Sequence, residues 1–262
     1  MIKVVLTSLC TLIAVTVLPL QVSVAMVNED RAELLEFISE IDEAINRQSA
    51  ESLDRLSREV SALCESSEKS LQKYACYYAG YIHYRLGTMF QQLSESQRDD
   101  HMDEAISFLE KSIGVDPEFA EAYSLKGSSY GAKISGMFSG MRYGSTAENN
   151  LEKGLELVPE NPRAVMLHAI SLLVKPAMFG GRTQKAIDGF KESAELFESW
   201  SPKYQLQPDW GHEEVYAWLG IAYQENEEYG RAKEAFEQAL AINPDYSWVR
   251  RELMPALEEQ TN

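Results

Sequence analysis

Small and large apolar residues return along this chain at a helical period. Ala232, Phe236, Ala239 and Pro244 are separated by four, three and five residues, and Ala105, Leu109, Ser112 and Pro117 repeat those separations. So do Ala147, Leu151, Gly154 and Pro159, while Ala186, Phe190 and Ser193 repeat the first three, with Glu198 where proline would fall. Small side chains at i and i+7 with a large one at i+4 share one helix face and let it pack closely on a neighbour. Proline cannot continue such a helix and suits the first turn of the next. Upstream of each lies another helix with its own small residue, at Gly80, Gly127, Ala169 and Gly220. Residues 29–64 add a further pair (Leu34, Ile38, Ile41 and Ile45, then Leu53, Leu56, Val60 and Leu63), and 247–260 reads as a capping helix with a polar outer face. No segment alternates as a strand does. The pattern predicts an all-α chain of about five helix pairs plus a cap.

Residues 213–246 carry Leu219, Gly220, Tyr223, Tyr229, Ala232, Phe236, Ala239 and Pro244. In this they resemble the tetratricopeptide repeat, a 34-residue helix-turn-helix unit. The segment 120–159 keeps Tyr123, Gly127 and Tyr130 but has Lys126 at the leucine position. Two segments fit less well: 161–198 has Ala169 for glycine and Leu172 for tyrosine, and about 73–117 has His83 for tyrosine. The chain also resembles exported bacterial repeat proteins with a Phe-Gly-Gly turn and an Asp-Trp-Gly start to the last repeat, here Phe179-Gly180-Gly181 and Asp209-Trp210-Gly211. The resemblance implies one right-handed α-α superhelix over residues 26–262, its first helices lining a concave surface that binds a protein or peptide.

The repeats are longer than the family's. The equivalent alanines lie 42, 39 and 46 residues apart. The first two excesses fall between the helices of a pair and the third between pairs, and Gly80 to Ala105 carries a further excess. Such turns stack along one edge of a solenoid. Each begins with Met-Phe, at Met89-Phe90, Met137-Phe138 and Met178-Phe179. They either extend the core or grip a partner. Packing is the favoured expectation, because three exposed Met-Phe pairs would be a liability. Tyr74, Tyr77, Tyr81 and Tyr84 form one helical stripe at the positions the resemblance assigns to the groove. Tyrosine suits a wet recognition surface, which makes the stripe a candidate binding face. Packing against the N-terminal pair is the alternative. The equivalent positions Arg163, Met166 and Ile170, then Glu214, Ala217 and Ile221, look mixed.

Lys3 followed by the apolar run Val4–Leu18, then Ser23-Val24-Ala25, reads as a secretory leader cleaved after Ala25. An uncleaved anchor is the alternative, although fifteen residues are short for a span. Leu9 before Cys10 does not suit a lipoprotein site. After cleavage no integral span is expected, and the periplasm is the expected compartment. There Cys64 and Cys76, on either side of a short turn, are expected to form a disulfide.

The chain has 262 residues, with 24 Lys+Arg against 41 Asp+Glu, a net charge of −17. A nucleic-acid partner is disfavoured by that charge. Both signs look interspersed, so the surplus speaks to solubility. His83, His101, His168 and His212 are scattered, with no pair at metal-ligand spacing, and Asp99, Asp100 and Asp103 lack the glycine and terminal glutamate of a calcium loop. No nucleophile elbow or phosphate loop occurs. The expectation is a non-enzymatic scaffold with no metal and no cofactor, binding an unknown protein or peptide. The alternative is a small-ligand carrier or transporter accessory whose cavity is roofed by the inserted turns. Candidate contact residues are Tyr74, Tyr77, Tyr81, Tyr84, Met137, Phe138, Met178 and Phe179. The sequence carries no expectation of oligomeric state.

Overall fold

A computed structural model describes residues 17–90 and 92–261, with the backbone alone for 17–27. Among the described residues, ten helices form five antiparallel pairs: α1 (Val17–Asn46) with α2 (Ala50–Leu63), α3 (Lys69–Met89) with α4 (Glu95–Val115), and α5 (Ala120–Ala132) with α6 (Met137–Leu157). Then come α7 (Pro162–Val174) with α8 (Thr183–Ser199) and α9 (His212–Glu225) with α10 (Tyr229–Ile242). A π-turn at Val249–Leu253 leads into the cap, α11 (Met254–Thr261). Among the described residues there is no strand. The helix-pair solenoid is the architecture the spacing predicts. The expected leader lies largely outside the described residues, and its expected cleavage point after Ala25 falls inside α1.

The repeating small residues act as read. A β-carbon on Gly127 would come within 2.8 Å of Leu151 and of the Ala147 carbonyl oxygen, so α5 and α6 touch backbone to side chain there. Gly220 faces Phe236 in the same way. In the fourth pair the contact is inverted, because a β-carbon on Gly189 of α8 would come within 3.0 Å of the Ala169 side chain of α7. Close approach needs one small residue at the crossing, and either helix can supply it. Helix starts are local in origin. Ser94 and Gln97 form a capping box on α4, and Asn161 accepts from the amides of Arg163 and Ala164 with Pro162 in the first turn of α7.

Much of the excess length is helix rather than loop. Helices α3, α4 and α6 each have 21 residues, against 13 or 14 in α5, α7, α9 and α10. Seven extra residues add about 10 Å, or two turns. The superhelix also closes on itself. Asn243 Nδ2 donates to Asn46 Oδ1 at 3.0 Å, and Gln48 Nε2 donates to Glu252 at 3.0 Å, joining the first helix pair to the end of α10 and to the turn before the cap.

Cys64 at the end of α2 pairs with Cys76 of α3, their α-carbons 4.7 Å apart. The bridge closes a short loop and stabilises mainly by restricting the unfolded chain. Replacing both cysteines by serine is expected to lower the unfolding free energy by roughly 2–3 kcal/mol. Urea midpoints without reductant measure this, and two titratable thiols in the unmodified protein would refute the bridge.

Candidate functional site

Tyr74, Tyr77, Tyr81 and Tyr84 do lie on the concave side of α3, but the open groove expected there is absent. The first three are buried and Tyr84 is half-buried. The segment 200–211, which carries the excess between the last two pairs, lies against the stripe. Trp210 stacks on Tyr81 with ring centres 4.7 Å apart, and its Nε1 donates to Tyr77 Oη at 3.0 Å. Leu206 is buried with it, and Phe119 at the head of α5 packs against Tyr74 and Tyr77 at 5.6 and 5.1 Å. Gly211 makes the turn possible: its φ of 109° is a left-handed conformation, and a β-carbon there would meet Phe197 at 3.0 Å. The wet recognition surface expected from the tyrosines is therefore a dry interior in this structure. The excess residues between the last two pairs have been folded back to fill it.

Two buried arginines hold this interior. Arg85 of α3 forks onto Glu214 at the start of α9, with Nη1 donating to Oε1 at 2.9 Å and Nη2 donating to Oε2. Its guanidinium sits 5.0 Å from the Tyr81 ring and 5.2 Å from Trp210. Arg163 of α7 is wholly buried; it donates to the Trp210 carbonyl at 3.3 Å, reaches Glu121 of α5 at 3.5 Å and lies 4.5 Å from the Trp200 ring. Neither charge was singled out by sequence reasoning, which took Arg163 and Glu214 as unremarkable groove positions. The missed signal was opposite charge at first-helix positions of different repeats, which curvature turns toward one centre.

Burial raises the Tyr77 and Tyr81 hydroxyls well above their ordinary value and takes Tyr84 to about 12, so all three stay protonated. Burial alone would lower Arg85, but the Glu214 carboxylate and Tyr81 override it, and the net shift is upward. Asp42 of α1 faces the same centre. Surrounding protein and then Glu213 raise its carboxyl, Arg85 opposes and Asp209 adds, giving about 7. The residue itself stays open to water, so no stability is assigned to that shift.

The inserted edge behaves in the opposite way. Helix α6 outruns α5 by two turns, and Met137, Phe138 and Met141 lie exposed on the overhang, Phe138 at 80%. Val174, Met178 and Phe179 are exposed on the turn between α7 and α8, Met178 at 83%. Ser135 Oγ donates to Glu95 of α4, and Lys175 pairs with Glu148 of α6, which ties neighbouring turns together. Met89-Phe90 alone follows the packing expectation. Both α3 and α4 are long there and cover one another, leaving the pair half-buried. The favoured expectation of packing fails at the other two pairs, where the partner helix is short.

The histidines are less scattered than the sequence implied. His83 Nδ1 and His101 Nδ1 approach to 3.3 Å across α3 and α4, and His83 stacks on Phe108. Burial, then His101, lowers His83 to about 4. Among the described residues no group of three or more His, Cys, Asp or Glu is placed to hold a metal ion. A cleft of about 680 Å³ lies between the ends of the superhelix, lined by Glu43, Arg47, Asp245, Arg250 and Arg251 among others. It is polar and sits away from the inserted turns, so it is not the roofed apolar cavity a small-ligand carrier was expected to have.

The tetratricopeptide-repeat family matches at residues 213–246. No curated protein sequence matches the chain. Among solved structures, the haemophore HusA from Porphyromonas gingivalis is similar at 23% identity with a TM-score of 0.63, over 74% of this chain and 93% of its own. TTC0263, a thermophilic tetratricopeptide-repeat protein of Thermus thermophilus, is similar at 16% identity and a TM-score of 0.58, over 84% and 98%. At these identities the likeness concerns the fold. The chain has the fold of a helical repeat solenoid, and residues 213–246 match a tetratricopeptide repeat.

Glu214→Gln leaves the Arg85 charge buried without its counter-ion and is expected to cost about 3–5 kcal/mol in chemical denaturation. A loss under about 1 kcal/mol would refute a closing role for this pair. A second measurement concerns acid. The folded chain keeps His83 neutral to about pH 4, while the unfolded chain protonates it near 6.5. Its contribution is complete above pH 6.5 and falls by up to ~1.4 kcal/mol per pH unit down to about 4. His83→Gln should therefore flatten the stability profile in that window, and parallel profiles would contradict the shift.

Proposed function

We propose that this tetratricopeptide-repeat protein is an exported, non-enzymatic scaffold that engages its partner through the inserted edge rather than the concave groove. Met137, Phe138, Met141, Val174, Met178 and Phe179 carry the reading, because they are exposed on two successive inserted turns. Scattered surface apolar residues need no explanation, but a contiguous group of large ones marks an interaction surface. Methionine adapts to varied partners, and phenylalanine supplies rigid contact area. A groove ligand would have to displace Trp210, break its bond to Tyr77 and uncover two buried arginines. The small-ligand carrier finds no support in an interior filled by Tyr77, Tyr81 and Trp210, and the likeness to a haemophore brings no ligand to this chain. Export is consistent with the leader pattern and with a disulfide that needs an oxidising compartment.

Phe138→Ser with Phe179→Ser is expected to leave the melting temperature within ~2 °C, since both rings face solvent. A photocrosslinking amino acid at Phe138 or Phe179 is expected to give adducts in the native compartment, and one at the exposed Tyr204 is not. A large fall in melting temperature, or equal adducts at all three sites, would overturn the edge as the binding face.

A further inference from the structure

The edge differs from the rest of the surface in charge. The chain has 41 acidic residues, yet none lies within residues 122–147 or 161–187, the segments that build the two exposed turns. Those segments carry Lys126, Lys133 and Arg142, then Arg163, Lys175, Arg182 and Lys185. Interspersion of signs, the expectation from composition, therefore breaks down along these two segments, as it also does over residues 69–94 of the largely buried α3 and the turn after it. Glu95 and Glu148 reach the edge from outside these segments, and Ser135 and Lys175 engage them. Lys133 is likewise committed to Asp103. Arg142, Arg182 and Lys185 are exposed and have no carboxylate partner among the described residues.

From this we infer that the surface met by the edge is an anionic lipid bilayer. The inference rests on the edge being the binding face. Phe138 and Met178 stand out from turn tips, and neither lines a described cleft, although one cleft opens beside Lys185 and Leu172. A projecting apolar knob needs a matching hole in a protein partner, whereas an acyl-chain boundary accepts it without one. Unpaired cations beside the knobs lie where lipid phosphates would be, as the attraction between basic residues and anionic leaflets requires. The remaining acidic surface would be repelled by the same leaflet, which fixes the orientation. The molecule would stand on its inserted edge, with the cleft between Glu43 and Arg250 away from the lipid.

The test is co-sedimentation of the full chain with phosphatidylglycerol-rich vesicles and with pure phosphatidylcholine vesicles, at about 0.05 M and about 0.5 M salt. Binding is expected to the first and to weaken at high salt. Phe138→Ser with Met178→Ser, and separately Arg142→Glu with Arg182→Glu, should each reduce partitioning at least ~10-fold, with melting temperatures unchanged. Tyr204→Ser, an exposed aromatic elsewhere, should stay within ~2-fold of the unmodified chain. If the edge variants bind like the unmodified chain, the leader or another surface holds the lipid and the inference fails. If no vesicle is bound while Phe138 crosslinks to a protein, the lipid assignment fails and the edge remains the binding face. Absence of both vesicle binding and edge crosslinks overturns both.

Discussion

Everything in this solenoid turns on the closure of its superhelix around Arg85 and Glu214. An arginine of α3 and a glutamate of α9 are far apart in the chain, and their forked pairing holds the concave side shut. A buried pair of this kind is seldom a net source of stability, because both ions lose their water. What it supplies is selection. A more open superhelix would pull the two charges apart and return them to water, so the forked pairing exists only at the closed curvature. Trp210 reinforces the choice by stacking on Tyr81, bonding to Tyr77 and offering its carbonyl to Arg163.

Closure has a consequence for recognition. The side of the fold that family resemblance makes the binding surface has become core, filled by the protein's own segment 200–211. Large exposed apolar side chains lie instead at the edge, where α6 outruns α5 and the turn between α7 and α8 projects. One kind of change, residues added between helices, produced both effects. The excess between pairs folded inward and closed the groove, while the excess within the α5/α6 and α7/α8 pairs left apolar side chains without a covering helix.

How far the sequence could be read depends on the range of each interaction. Helix pairing was legible because a small residue facing a large one, as Gly127 does Leu151, is a local rule with a helical period. The inverted case of Ala169 and Gly189 obeys the same rule from the other side. The cysteine bridge was legible because its two ends flank one turn. The burial of the tyrosine stripe was not readable, since the residues that cover it come from other repeats, Phe119 from the head of α5 and Trp210 from more than a hundred positions away. His83 and His101 were missed for a related reason: their spacing of 18 has no meaning until two long helices run antiparallel.

The sequence by itself therefore determined the helices, their pairing, the number of repeats and where the extra residues lie. All of these follow from contacts between neighbours in the chain. Whether a Met-Phe pair is buried was decided by the length of the helix opposite, which covers Phe90 and leaves Phe138 bare. Whether the groove is open was decided by superhelical curvature. That curvature is a sum of small rotations between repeats, and the groups that meet in the closed interior, Arg85 with Glu214 and Arg163 with Trp210, are ones no local pattern links.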